Sequence, residues 1–174
     1  MLTILCSTDL HSLATSDASC RALLGCSAEH LRGLSLFALM HPDDEGVLRG
    51  MWASLLEPYQ LRPQASTRAV DDGELAPSLD MQQQQRMLQP ARGTTFPEAQ
   101  VRVRLNNGFF DFYSIRLHVG ARWGADLLVP ESHEQAYIVA SLLKLGNDGA
   151  HPDVFQGTST APSSPRRHSH QSRH

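Results

Sequence analysis

A few groups of residues have the types and spacing that chemistry uses. His41, Asp43 and Asp44 crowd an imidazole and two carboxylates into one short run, a set able to ligate a metal ion or move protons. Cys20 and Cys26, with Cys6 upstream, offer thiols for metal, redox or nucleophilic work. Ser163-Ser164-Pro165-Arg166-Arg167 and the histidines after it offer a phosphoacceptor, a short nuclear address or a metal-binding tract. Each group also has a plainer reading. Pro42 suits the first turn of a helix, and the acids after it complement the positive end of the helix dipole, so His41-Pro42-Asp43-Asp44 reads as a helix start. A hydrolase needs a nucleophile activated by an oriented base, and no Gly-x-Ser-x-Gly elbow occurs. The serines fall mostly at expected caps and in the tail. Neither a catalytic set nor a metal site is assigned, and the chain is not expected to be an enzyme.

The composition agrees with a module that binds rather than reacts. The 174 residues carry a formal charge of -3, which supplies no drive toward nucleic acid or anionic membrane. No apolar run approaches the roughly 20 residues that cross a bilayer. The opening Met1-Leu2-Thr3-Ile4-Leu5-Cys6 has no basic leader and too short an apolar block for a signal peptide. Three cysteines without a Cys-x-x-Cys pair read as small core or cap residues of a reduced, intracellular protein.

The elements that would position these groups follow from pattern. Residues 2–5 and 10–15, either side of Ser7-Thr8-Asp9, make an opening strand pair. Ser16 or Asp17 caps a helix that Gly25 stops, Ser27 opens another turn that Gly33 ends, and Leu34, Leu36, Phe37, Leu39 and Met40 form an apolar knot. From His41 a longer helix carries Val47, Leu48, Met51, Trp52, Leu55 and Leu56 on one broad core face and ends at Glu57-Pro58. Residues 58–96 change character: prolines, the Gln82–Gln85 run and scattered charges predict a disordered insertion, with a transient helix over 81–88. Val101, Val103 and Leu105 then alternate with polar residues. Asn107-Gly108 is a strong hairpin signal because both central residues tolerate positive φ. The returning strand puts Phe109, Tyr113, Ile115, Leu117 and Val119 on one face and Phe110, Phe112, Ser114, Arg116 and His118 on the other. A loop over 120–135 precedes a last buried strand over 137–145, and 146–174 is expected to be a disordered tail.

The run from Leu23-Leu24-Gly25 through Leu34-Ser35-Leu36-Phe37, followed by His41-Pro42-Asp43-Asp44, resembles the signature of the PAS domain family. The resemblance covers most of 1–56 and, more loosely, 99–145. It implies an α+β fold, a five-stranded antiparallel sheet with short helices on one face, as one domain over 1–145 interrupted by the 58–96 insertion. It also implies two function classes: a non-catalytic sensory or protein-interaction module, and a small-molecule sensor whose ligand fills the apolar cup between helices and sheet. For the second, family geometry and apolar spacing select Leu24, Leu36, Met40, Trp52, Ile115 and Leu117 as the pocket for a small hydrophobic ligand. The cofactor is left open, with flavin and haem disfavoured: Cys26 does not sit in the reactive-cysteine motif of flavin photosensors, and no histidine lies between Val47 and Leu56. Phe110 and Phe112, neighbouring aromatics on a nominally wet face, are expected to meet another protein or a second PAS domain. The glutamine run and Ser-Pro-Arg-Arg tail are similar in flavour to fungal transcription regulators, which points to the nucleus before the cytoplasm. Three isolated cysteines cannot build a zinc-based DNA-binding module, so no direct contact with nucleic acid is expected.

Overall fold

Alternation in the first strand places Leu2, Ile4 and Cys6 on one face, all without solvent exposure, and this face becomes the floor of the core. The computed structural model describes residues 1–63 and 86–146. Strand β1 (Leu2–Cys6) pairs with β2 (Ser12–Thr15) and β5 (Ala136–Lys144); β4 (Phe110–Ala121) pairs with β5 and β3 (Glu98–Arg104). The result is a five-stranded antiparallel sheet, as the resemblance implied, with the strands in the order β2-β1-β5-β4-β3. The second strand starts later than its apolar pattern suggests. Leu10 turns the chain at φ 65, a strained conformation for leucine that its complete burial holds in place.

Helices α1 (Asp17–Leu24), α2 (Ala28–Leu31), α3 (Leu36–Leu39) and α4 (Glu45–Leu56) cross one face of this sheet. Their starts are written in the sequence. Ser16, Ser27 and Ser35 each accept a backbone N–H from the first turn, satisfying donors that have no partner inside the helix. His41 does the same for Asp43 through Nδ1 at 3.2 Å, ahead of a 3-10 turn over Pro42–Asp44 that leads into α4. Leu48, Met51, Leu55 and Leu56 of α4 are buried, whereas Val47, expected among them, is exposed because it lies on the flank turned away from the sheet.

The β3–β4 connection is a hairpin of a different type from the one expected. Gly108 takes φ 85 while Asn107 stays at negative φ, so one extra residue enters the loop. Leu105 accepts from Gly108 N (2.9 Å) and donates to Phe109 O (2.8 Å), and Asn106 N donates to Leu24 O at the end of α1 (2.9 Å). Docking against α1 selects this loop. It leaves Phe109 exposed outside the strand, and Asp111 takes the inward position instead.

The segment expected to be disordered over 58–96 is ordered at both flanks. Tyr59 and Leu61 are buried, and Tyr59 donates to Arg92 O at 2.8 Å. Pro97 O and Thr94 Oγ1 accept from Leu117 N and Val119 N, so residues 91–97 extend the edge pairing of β4 beyond β3. Backbone pairing, rather than apolar burial, orders this stretch. The glutamine run and the tail beyond Gly146 lie outside the described residues, and the helix expected over 81–88 is described only from Arg86 onward.

Candidate functional site

The sheet face turned away from the helices is built from alternate residues of β3, β4 and β5. Directly paired residues share a face, so Phe110 and Phe112 stand with Arg104 and Arg102 of β3, and Leu143 opposes Ser114. Leu145 N donates to Phe112 O, which continues the ladder by one residue. Here Phe110 and Phe112 are half-buried, while Leu143 is 53% and Leu145 46% exposed. A polar band follows along the strands: Glu98 accepts from Ser114 Oγ (2.5 Å) and Arg116 Nη2 (2.7 Å) and is held below the usual carboxylate range by those two partners. Beyond the band the face is covered. His118, Gly120, Tyr137 and Val139 are buried, and residues 86–96 reach over His118 and Tyr137 through Leu88 O, the Phe96 ring and Met87 O.

The His41-Pro42-Asp43-Asp44 run clamps this face to the helical layer. Asp44 accepts from Arg102 N (2.8 Å), Nε (2.9 Å) and Nη2 (2.8 Å), and Asp43 adds a longer contact to Nη2 at 3.3 Å. The Arg102 guanidinium holds the Asp44 carboxyl below its ordinary value. His41 N donates to Arg102 O (2.9 Å), Met40 bridges Val103, and the His41 ring meets Phe110 edge-on at 4.9 Å. The carboxylates are thus spent on an arginine. Among the described residues no group of three His, Cys, Asp or Glu side chains could hold a metal ion.

The structure brings the expected cup residues into one core. Leu24, Leu36, Met40, Ile115 and Leu117 are buried in the main apolar cluster, and Trp52 packs at its margin, where Nε1 donates to Thr8 O at 2.8 Å and the indole meets Phe37 edge-on. Tyr113 crosses the same interior to donate to Leu23 O (2.8 Å), and burial pushes its phenol up to about 12. A hydroxyl also faces inward. Ser12 opposes Cys6 in the β1–β2 pair, and its Oγ is buried without a hydrogen-bond partner among the described residues. Burial raises the Cys6, Cys20 and Cys26 thiols, which keeps them protonated at neutral pH.

Several residues of the outer face escaped the sequence reading. Leu143 and Leu145 sit in a run that is apolar at both parities, which conceals an exposed edge within a buried strand. Asp111 is buried and paired with Lys144 at 2.9 Å, an ion pair whose partners lie far apart in sequence. Gly120 gives way to the Tyr137 ring, and only the cross-strand register reveals that pairing.

No protein-family model and no curated protein matches the sequence. Solved structures do. The PAS-B domain of Cycle from Drosophila melanogaster, with bound ethylene glycol, is similar over 83% of this chain and 100% of that one, at a TM-score of 0.51 and 11% identity. A tryptophan-to-alanine variant of that domain with bound glycerol gives 0.52 and 10% identity over the same shares. This is a PAS fold. In it the helical layer of the chain closes over one sheet face, and the open end of the opposite face holds Phe110 and Phe112. Among the described residues no helix is long and apolar enough to cross a membrane.

Proposed function

We propose that the chain is a non-catalytic sensory and protein-interaction module of an intracellular regulatory pathway, which works by presenting the open end of its outer sheet face to a second PAS domain or another protein. The observation that carries this reading is the exposure of Leu143 in β5 and Leu145 just beyond it, beside the half-buried Phe110 and Phe112. A contiguous apolar patch on a sheet costs solubility unless something covers it. The Arg102 and Arg104 side of the patch gives a polar rim of the kind that surrounds docking surfaces. The glutamine run and Ser-Pro-Arg-Arg tail support a transcriptional, nuclear setting. Light scattering of the full chain tests the reading: mass is expected to rise above that of one chain with concentration, and Phe110→Glu returns it to one chain. A single-chain mass at every concentration, or an unchanged mass in the variant, sinks self-association through this face.

A second reading has one observation in its favour. A small hydrophobic ligand held among Leu24, Leu36, Met40, Trp52, Ile115 and Leu117 would lie on the side of the sheet where the Ser12 hydroxyl lacks a partner. Binding to the folded state alone would raise the melting temperature. Gently purified protein that carries no small molecule in mass spectrometry, and that no apolar ligand stabilises, removes this reading.

A further inference from the structure

Residues 86–96 hold the covered end of the outer sheet face in an unusual way. Their grip is mostly backbone. Met87 O accepts from the Tyr137 hydroxyl (2.6 Å), Leu88 O faces His118 Nε2 (3.1 Å), and Ala91 N donates to Val119 O (2.7 Å). Apolar anchorage is slight, since Leu88 is 40% and Phe96 50% exposed, although the Phe96 ring lies 5.5 Å from that of His118. A segment held by a few hydrogen bonds and little burial opens more readily than the sheet beneath it.

We propose that residues 86–96 form a displaceable strap that closes over a neutral His118, and that proton uptake by this imidazole releases it. Release would uncover Tyr137 on the far side of the Glu98-Ser114-Arg116 band, adding a second apolar area to the same face. What the strap regulates rests on the sheet-face reading above; its release does not.

The geometry supplies the coupling. Nε2 faces a carbonyl, so it carries the hydrogen of the neutral ring. A second proton would place a full charge beneath the strap. The charged and titratable neighbours do not offset it: Arg116, two residues away on the same face of β4, is cationic; Glu98 of β3 is already engaged by Arg116 and Ser114; the Tyr137 phenol of β5 is pushed up to about 12; and the strap presents Leu88 O and the Phe96 ring, its Arg86 and Arg92 side chains being exposed. Burial lowers the affinity of His118 for a proton and outweighs the Leu88 carbonyl, which by itself favours the charged ring. With the strap lifted, the imidazole regains its ordinary value near ~6.5, so closure is complete above that pH and weakens as pH falls below it.

Hydrogen exchange on the full chain tests this, with rates corrected for the intrinsic effect of pH. Between pH ~7.5 and ~5.0, protection at Ala91, Leu117 and Val119 is expected to fall severalfold more than in the β1–β5 pairing. His118→Gln keeps an N–H for the Leu88 carbonyl but cannot titrate, and it should abolish the extra fall. Protection at the three amides that keeps pace with β1–β5, or an equal fall in His118→Gln, overturns the proposal. Should that variant fail to fold, Tyr137→Phe decides, since it removes the hydroxyl that holds Met87 O: lower protection at Ala91 and Val119 already at pH ~7.5 supports a strap held by hydrogen bonds, and unchanged protection refutes it. Exchange reports the strap and light scattering of Phe110→Glu reports the face, so either can fail while the other stands.

Discussion

The two ends of the outer sheet face are made by the same pair of strands, yet they are treated in opposite ways. At one end Tyr137 is buried beneath a segment of the chain; at the other Leu143, on the same strand and the same face, is 53% exposed. The band of Glu98, Ser114 and Arg116 divides them. Strand pattern alone therefore does not decide burial on this face; the segment that crosses it does. Apolar side chains with no internal cover form the end suited to a partner, and those under a strap held by hydrogen bonds form the end suited to control.

Urea unfolding separates these regions and the core beneath them. Ile115→Ala opens a cavity under the helices and is expected to cost about 2–5 kcal/mol, whereas Leu143→Ala should stay within about 0.5 kcal/mol. A Leu143→Ala cost approaching that of Ile115→Ala would mean that the open end is already covered, and the comparison would break. A smaller effect is expected at Gly120, where an added Cβ would lie 2.2 Å from the Tyr137 ring. Gly120→Ala forces that ring off the face and away from Met87 O, at about 1–3 kcal/mol. In a Tyr137→Ala background most of this penalty should vanish, because the clash has lost its partner. A penalty that persists there would place the strain in the strand itself.

The parts of the molecule governed by local chemistry were legible in the sequence. Ser16 and Ser27 announced their helices, and His41-Pro42-Asp43-Asp44 announced α4, because caps and first turns involve residues close along the chain, whereas the Ser35 cap of α3 was read only as part of an apolar knot. Parity along β4 correctly set Tyr113, Ile115 and Leu117 apart from Phe110 and Phe112. What failed to show was set at a distance. The hairpin loop took an extra residue where Asn106 docks on α1, which left Phe109 exposed beyond the strand, while Asp111 faces inward by the same alternation as Tyr113. Residues 86–96 looked featureless because their order comes from carbonyls and amides, and backbone groups leave no mark on composition. The end roles of Leu143 and Leu145 depend on where that strap stops, which no window of β5 contains.

Acid titration of stability tests the link between the outer face and the helical layer, and its expected effect is the smallest. Asp44 lies at the start of α4, and Arg102 projects from β3 beside Phe112, so their contact couples both layers at the sheet edge. The arginine lowers the carboxyl below its ordinary value of 3.8, so the native state binds that proton more weakly than the unfolded chain. The resulting stabilisation is present above the ordinary value and disappears as pH falls through the lower native one. The carboxylate's hydrogen bonds, discounted for solvent screening, are worth about 1 kcal/mol at neutral pH. Asp44→Asn should therefore unfold at lower urea than the parent at pH ~7, with the gap closing as pH falls below 3.8 and through the lower native value, where the parent carboxyl is protonated as well. A gap of constant size would assign the role of Asp44 to hydrogen-bond shape rather than charge. Because Arg102 stands beside the aromatic patch, a gap that closes would also make the seating of Phe110 against His41 dependent on an ionised Asp44.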